Sequence, residues 1–174
     1  MTDRRQAMRS LTAAAAAVVL LLLSFGVAAP AQAAGRMFKH NNGLCVRDTI
    51  EIINIKPCEA APVTARNWSF VGRGTLNGHA LYMFKNVQTS ACMASVGDTF
   101  GPLGFRCLNA DDAEIWEVFT VGSGTSQRQV LKSYGAFKLG KHMCLEYTPP
   151  YTVMANLGLS PCNLNSTNQK FRLF

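Results

Sequence analysis

Six cysteines carry the clearest covalent chemistry in this 174-residue chain. They fall into three pairs, Cys45/Cys58, Cys92/Cys107 and Cys144/Cys162, whose members lie 13, 15 and 18 positions apart. None has the C-x-x-C spacing of zinc or redox sites. An even count in an exported chain implies disulfides, for which six cysteines allow fifteen connectivities. Asp111, Asp112 and Glu114 form the densest acidic cluster. Neighbouring loop acids do not face one another across a cleft, as glycoside hydrolysis requires, and they read as a solvated turn with capping side chains. His40, His79 and His142 belong to no motif and read as surface or strand residues. No G-x-S-x-G, H-E-x-x-H or P-loop pattern occurs. The expectation is a protein that is not an enzyme and uses no metal or cofactor.

The chain opens with Asp3, Arg4, Arg5 and Arg9, then an apolar run from Ala13 to Leu23, then Ala31-Gln32-Ala33. That layout predicts a secretory signal peptide over residues 1–33, cut between Ala33 and Ala34. A membrane anchor is the competing reading. Ser24 and Gly26 interrupt the apolar core from Leu11 to Ala29, and no charged stop-transfer cluster follows it directly. Arg4-Arg5 leaves the choice between the general and the twin-arginine export route open. Residues 34–174 are then a secreted, extracellular domain of ordinary single-domain size. Without Asp3, Arg4, Arg5 and Arg9 the chain keeps fourteen basic and nine acidic residues, a net charge of +5. Such an excess favours acidic surfaces such as anionic glycans and is also a common solubility balance. The Lys and Arg residues are scattered and never interleave with aromatics, which argues against nucleic acid. No later segment is long and apolar enough to span a bilayer.

The cysteine pairs sit inside a larger repeat. Phe38-Lys39, Phe84-Lys85 and Phe137-Lys138 precede the first cysteines, and Val46, Met93 and Leu145 follow them. Trp68, Trp116 and Phe171 lie 10, 9 and 9 positions beyond the second cysteines. Features recurring in one order imply three diverged copies of a unit, over about 36–79, 80–130 and 131–174. Within each unit the signals are β. Short apolar runs such as Leu81 to Phe84, Ile115 to Val121 and Val130-Leu131 alternate with Gly, Asn, Pro and Ser clusters. Ile50 to Ile55 is rich in β-branched residues, and no segment keeps a helical apolar period over three turns. A unit this small cannot enclose a core alone, whereas three around a pseudo-threefold axis can share one. Phe38, Trp68, Phe84, Trp116, Phe137 and Phe171 are the expected core. The repeat selects one disulfide set: Cys45–Cys58, Cys92–Cys107 and Cys144–Cys162. Each bond closes a short loop and contributes roughly 3 kcal/mol.

Gly43-Leu44-Cys45-Val46 resembles the opening of a unit in the ricin-B-type β-trefoil lectins. The stretch from Cys162 through Asn168-Gln169-Lys170-Phe171 resembles their closing Q-x-W motif, with Phe in place of Trp. The resemblance covers all of residues 34–174 and implies an all-β, twelve-stranded β-trefoil that binds a glycan or glycoconjugate. The family's sites use an acid two residues after the first cysteine, an aromatic two before the second, and an Asn just before the closing Gln. A carboxylate makes charge-assisted bonds to sugar hydroxyls, an aromatic face packs on the ring, and an amide both donates and accepts. Repeat three comes nearest, with Glu146, Asn168 and Gln169, but it has Ser160 at the aromatic position, so stacking falls to Tyr147 or Tyr151. Repeat two offers Phe105, with Ala94 for the acid and Glu114 for the Gln. Repeat one holds Arg47, with Asp48 beside it, then Lys56 and Arg66. No repeat carries the full set. Glu146, Asn168 and Gln169 are therefore read either as a sugar site or as side chains that only hold strands and turns together.

Incomplete sites also mark the A and C subunits of cytolethal distending toxins, which Tyr82 to Val87 and Ile115 to Val118 resemble. That resemblance implies a protein partner in a toxin-like complex. An envelope-structural role and a protease-inhibitor role stay open. Tyr147-Thr148-Pro149-Pro150-Tyr151 is a stiff candidate contact loop.

Overall fold

The structure is a computed structural model that describes residues 35–49, 52–60, 62–95, 102–108, 111–149 and 157–174. The expected signal peptide and Tyr151 lie outside the described residues. Among the described residues twelve strands fall four to a unit. The first unit holds β1 (Phe38–His40), β2 (Leu44–Asp48), β3 (Ile53–Pro57) and β4 (Trp68–Leu76). The second holds β5 (His79–Asn86), β6 (Ala91–Ala94), β7 (Leu103–Arg106) and β8 (Ile115–Val121). The third holds β9 (Arg128–Ser133), β10 (Met143–Tyr147), β11 (Leu157–Pro161) and β12 (Phe171–Leu173). Two single-turn α-helices among the described residues, α1 (Val63–Arg66) and α2 (Tyr134–Lys138), are too short to leave a helical period in the sequence. Among the described residues no helix is long and apolar enough to cross a membrane.

Six strands pair antiparallel in a ring: β1 with β12, β12 with β9, β9 with β8, β8 with β5, and β5 with β4. Arg36 closes the ring by exchanging two backbone hydrogen bonds of 2.9 Å with Trp68. Closure removes the exposed edges that an open sheet would present. The hairpins β2–β3, β6–β7 and β10–β11 attach to the ring through equivalent pairings, Lys39 opposite Cys45, Lys85 opposite Cys92 and Lys132 opposite Cys144. Each hairpin carries its own disulfide, Cys45–Cys58, Cys92–Cys107 or Cys144–Cys162. Between β4 and β5, Asn77 and Gly78 have φ of 51° and 84°. Leu76 pairs directly with His79 there, so the turn is the primed two-residue type that this dipeptide favours.

The core lies inside the ring. Phe38, Trp68, Phe84, Trp116 and Phe171 are fully buried there, joined by Val46, Met93 and Leu145 from the hairpins. The Trp68 indole N–H donates to the Val46 carbonyl at 3.2 Å, and Trp116 to the Met93 carbonyl at 2.8 Å. Each ring thus buries a large apolar area while its one polar group stays satisfied. Phe171 has no such donor, and repeat three lacks the bond.

Phe137 is the exception among the expected core residues. The pairing register makes Leu131-Lys132 the third copy of Phe38-Lys39 and Phe84-Lys85, and Leu131 is fully buried. Twelve positions separate Lys132 from Cys144, against six and seven in the other repeats. The extra residues form α2, whose N-cap Ser133 accepts from the Ala136 N–H at 3.0 Å. Phe137 is half-buried on that helix, its ring 4.4 Å from Lys132 Nζ. Lys132 in turn donates to Glu117 at 3.0 Å, with both side chains under a tenth exposed.

Candidate functional site

The three repeats set out three equivalent positions, each on the outer face of a hairpin beside the turn that leads into the closing strand. In repeat three, Glu146 lies on β10 opposite Gly158, and Ser160 lies opposite Cys144. The turn Thr167–Gln169 packs against β10. It brings Gln169 to the acid: Gln169 Nε2 donates to Glu146 Oε2 at 2.7 Å and to the Pro161 carbonyl at 3.0 Å. Its Oε1 accepts from the Asn163 N–H at 2.8 Å. Both N–H donors and the carbonyl oxygen of this buried amide are engaged on the protein. Glu146 stays half-exposed, and its Oε1 has no partner among the described residues. The Asn168 amide, half-buried in the same turn, likewise makes no hydrogen bond among the described residues.

Glycine at 158 leaves the surface opposite the carboxylate bare, and a Cβ built there would meet only the Thr148 hydroxyl, at 3.8 Å. Thr148 stands two residues from Glu146, on the same face. Period-two alternation from Glu146 would have found it. The same alternation turns Tyr147 away from the face that carries Glu146. It packs against the core, its ring 4.9 Å from that of His40. Glu146, Thr148, Ser160 and Asn168 make a polar surface without an aromatic platform among the described residues.

In repeat two the corresponding place is a groove of about 530 Å³, lined by Ala94, Phe105, Leu108, Asp111 and Glu114 among others. Phe105 is 46% exposed and Leu108 63%. Two acids of the loop cluster are tied to the backbone. Asp111 Oδ1 accepts from the Ala113 N–H at 2.9 Å, and buried Glu114 accepts from the Leu108 N–H at 2.8 Å. Repeat one is basic instead. Arg47 Nε donates to Asn54 Oδ1 at 2.8 Å, Lys56 lies opposite Cys45, and Arg66 Nη1 donates to the Cys58 carbonyl. Gln169, Glu114 and Arg66 therefore share one structural task. Each ties the closing turn to backbone next to the second cysteine. Among the described residues no three His, Cys, Asp or Glu side chains gather as a metal site would need.

The chain matches no protein-family model and no curated protein. Its structure is similar to that of the Haemophilus ducreyi cytolethal distending toxin, at TM-score 0.63 and 20% identity over 83% of this chain and 86% of that one. It is also similar to ThreeFoil, a designed threefold-symmetric protein, at TM-score 0.61 and 12% identity over 80% of this chain and 96% of that one. The β-trefoil BEL matches at TM-score 0.59 and 12% identity, over 83% of this chain and 94% of that one. Identities this low speak for the fold, and together with four strands per unit around a shared core they make residues 35–174 a β-trefoil.

Proposed function

We propose that the chain is a secreted, non-catalytic carbohydrate-binding module of the ricin-B type, with its sugar site in repeat three. The observation that carries this reading is the Gln169–Glu146 hydrogen bond of 2.7 Å. A buried amide held at both its nitrogen and its oxygen fixes one oxygen of a half-exposed carboxylate. The other oxygen and the Asn168 amide stay available to hydroxyl groups on an open face. Preset acceptors of this kind cost little conformational entropy on binding and make charge-assisted bonds. Three intra-repeat disulfides accord with an exported chain. A glycan array probed with the wild type, Glu146→Ala and Asn168→Ala tests the reading. Binding to one or more sugar classes that falls at least about tenfold in both variants supports it. Binding unchanged in both variants removes it.

One observation favours a second role. Phe105 and Leu108 expose apolar surface beside the repeat-two groove, as a protein-docking patch would. The likeness to the cytolethal distending toxin structure points the same way. A stoichiometric protein partner recovered from the native secretome, with a flat glycan array, would favour docking over sugar binding.

A further inference from the structure

Repeat one inverts the charge of the same place in the fold. Where repeat three has Glu146 in contact with Gln169, the equivalent positions hold Arg47 and Arg66. Where repeat three has Ser160, repeat one has Lys56. Arg47 and Lys56 are diagonal neighbours on one face of the β2–β3 hairpin, about 7–8 Å apart by the usual sheet geometry. α1, which ends at Arg66, packs against β2, and the Arg66 bond to the Cys58 carbonyl sets its guanidinium beside the end of β3. Arg47 is held in place, because Asn54 accepts from it and donates in turn to Thr49 Oγ1 at 3.3 Å. None of the three cations forms an ion pair among the described residues. Arg66 Nε is buried with no acceptor. Asp48 turns to the other side of β2, where Thr89 donates to it, and Glu59 stays exposed on the turn after β3.

Like charges held together on one surface repel, and donors left without acceptors are costly. An anion relieves the repulsion, and a guanidinium fork matches its oxygens in geometry. We propose that Arg47, Lys56 and Arg66 form an oxyanion subsite for a sulfate or carboxylate group of an acidic polysaccharide. The proposal rests on the carbohydrate reading only for the polymer that carries the anion. The subsite itself does not require repeat three to bind sugar.

Titration calorimetry of the oxidised protein at low ionic strength tests it, with sulfated dextran oligosaccharide, polygalacturonate oligosaccharide and inorganic sulfate as separate probes. Arg47→Gln and Lys56→Gln should each weaken the preferred polymer roughly tenfold, while Arg172→Gln, on exposed surface of another repeat, changes it by less than about twofold. The two polymers rank sulfate against carboxylate, and inorganic sulfate should compete with whichever binds. Equal weakening by all three variants would show attraction to net charge alone and overturn the proposal, as would absence of binding to every probe. Neutral-glycan binding that depends on Glu146, measured on the same samples, separates the two sites. If it persists while anion binding is absent, only the subsite fails. If anion binding persists without it, only the repeat-three reading fails.

Discussion

Gln169 and Glu146 touch one another, yet their replacement should have different consequences. Gln169→Ala removes a buried side chain that satisfies the Asn163 N–H and the Pro161 carbonyl. It should cost about 1–3 kcal/mol in urea denaturation. Glu146→Ala leaves the loop bonds intact, so stability should change by less than about 1 kcal/mol while sugar binding is lost. Equal destabilisation by both would make Glu146 a structural residue like Gln169. At this scale the sequence was partly legible. Glu146 was picked out by its offset from Cys144, and Asn168 and Gln169 by their likeness to the closing motif. Tyr147 could not be placed, because offset says nothing about face, and neighbours on a strand point to opposite sides. The joint structural task of Arg66, Glu114 and Gln169 was hidden because three unlike side chains perform it.

Strands that carry an apolar run were legible, and Ile115–Val121 forms a single strand over the run that marks it; β7, Leu103–Arg106, carries no such run. The third unit misled because a chance Phe-Lys pair lies in the insertion that forms α2. Mutation can confirm the register. Leu131→Ala, in the core, should cost about 3 kcal/mol, and Phe137→Ala, half-buried over Lys132, no more than about 2 kcal/mol. Measured unfolding free energies in the reverse order would contradict the pairing of Lys132 with Cys144. The buried Lys132–Glu117 pair tests the same region. Lys132→Met alone strands a buried carboxylate and should cost about 3–5 kcal/mol. Adding Glu117→Leu should restore most of that loss.

Taken whole, the molecule is three weakly alike units that enclose one core, and that much followed from repeated cysteines and aromatics. Each disulfide stays within a unit, so removing one by paired Cys→Ala substitution should cost about 2–5 kcal/mol without changing the strand content seen by circular dichroism. Divergence at the three outer positions gives one scaffold three surfaces: acidic and amide in repeat three, apolar in repeat two, basic in repeat one. Under the proposed function a sugar is held on the first of these. Nuclear magnetic resonance titration of the isotope-labelled chain with the best oligosaccharide from the array addresses it most directly. The expected result is shifts centred on Glu146, Thr148, Gly158 and Asn168. Shifts confined to the repeat-two groove, or none at saturating ligand, would contradict it.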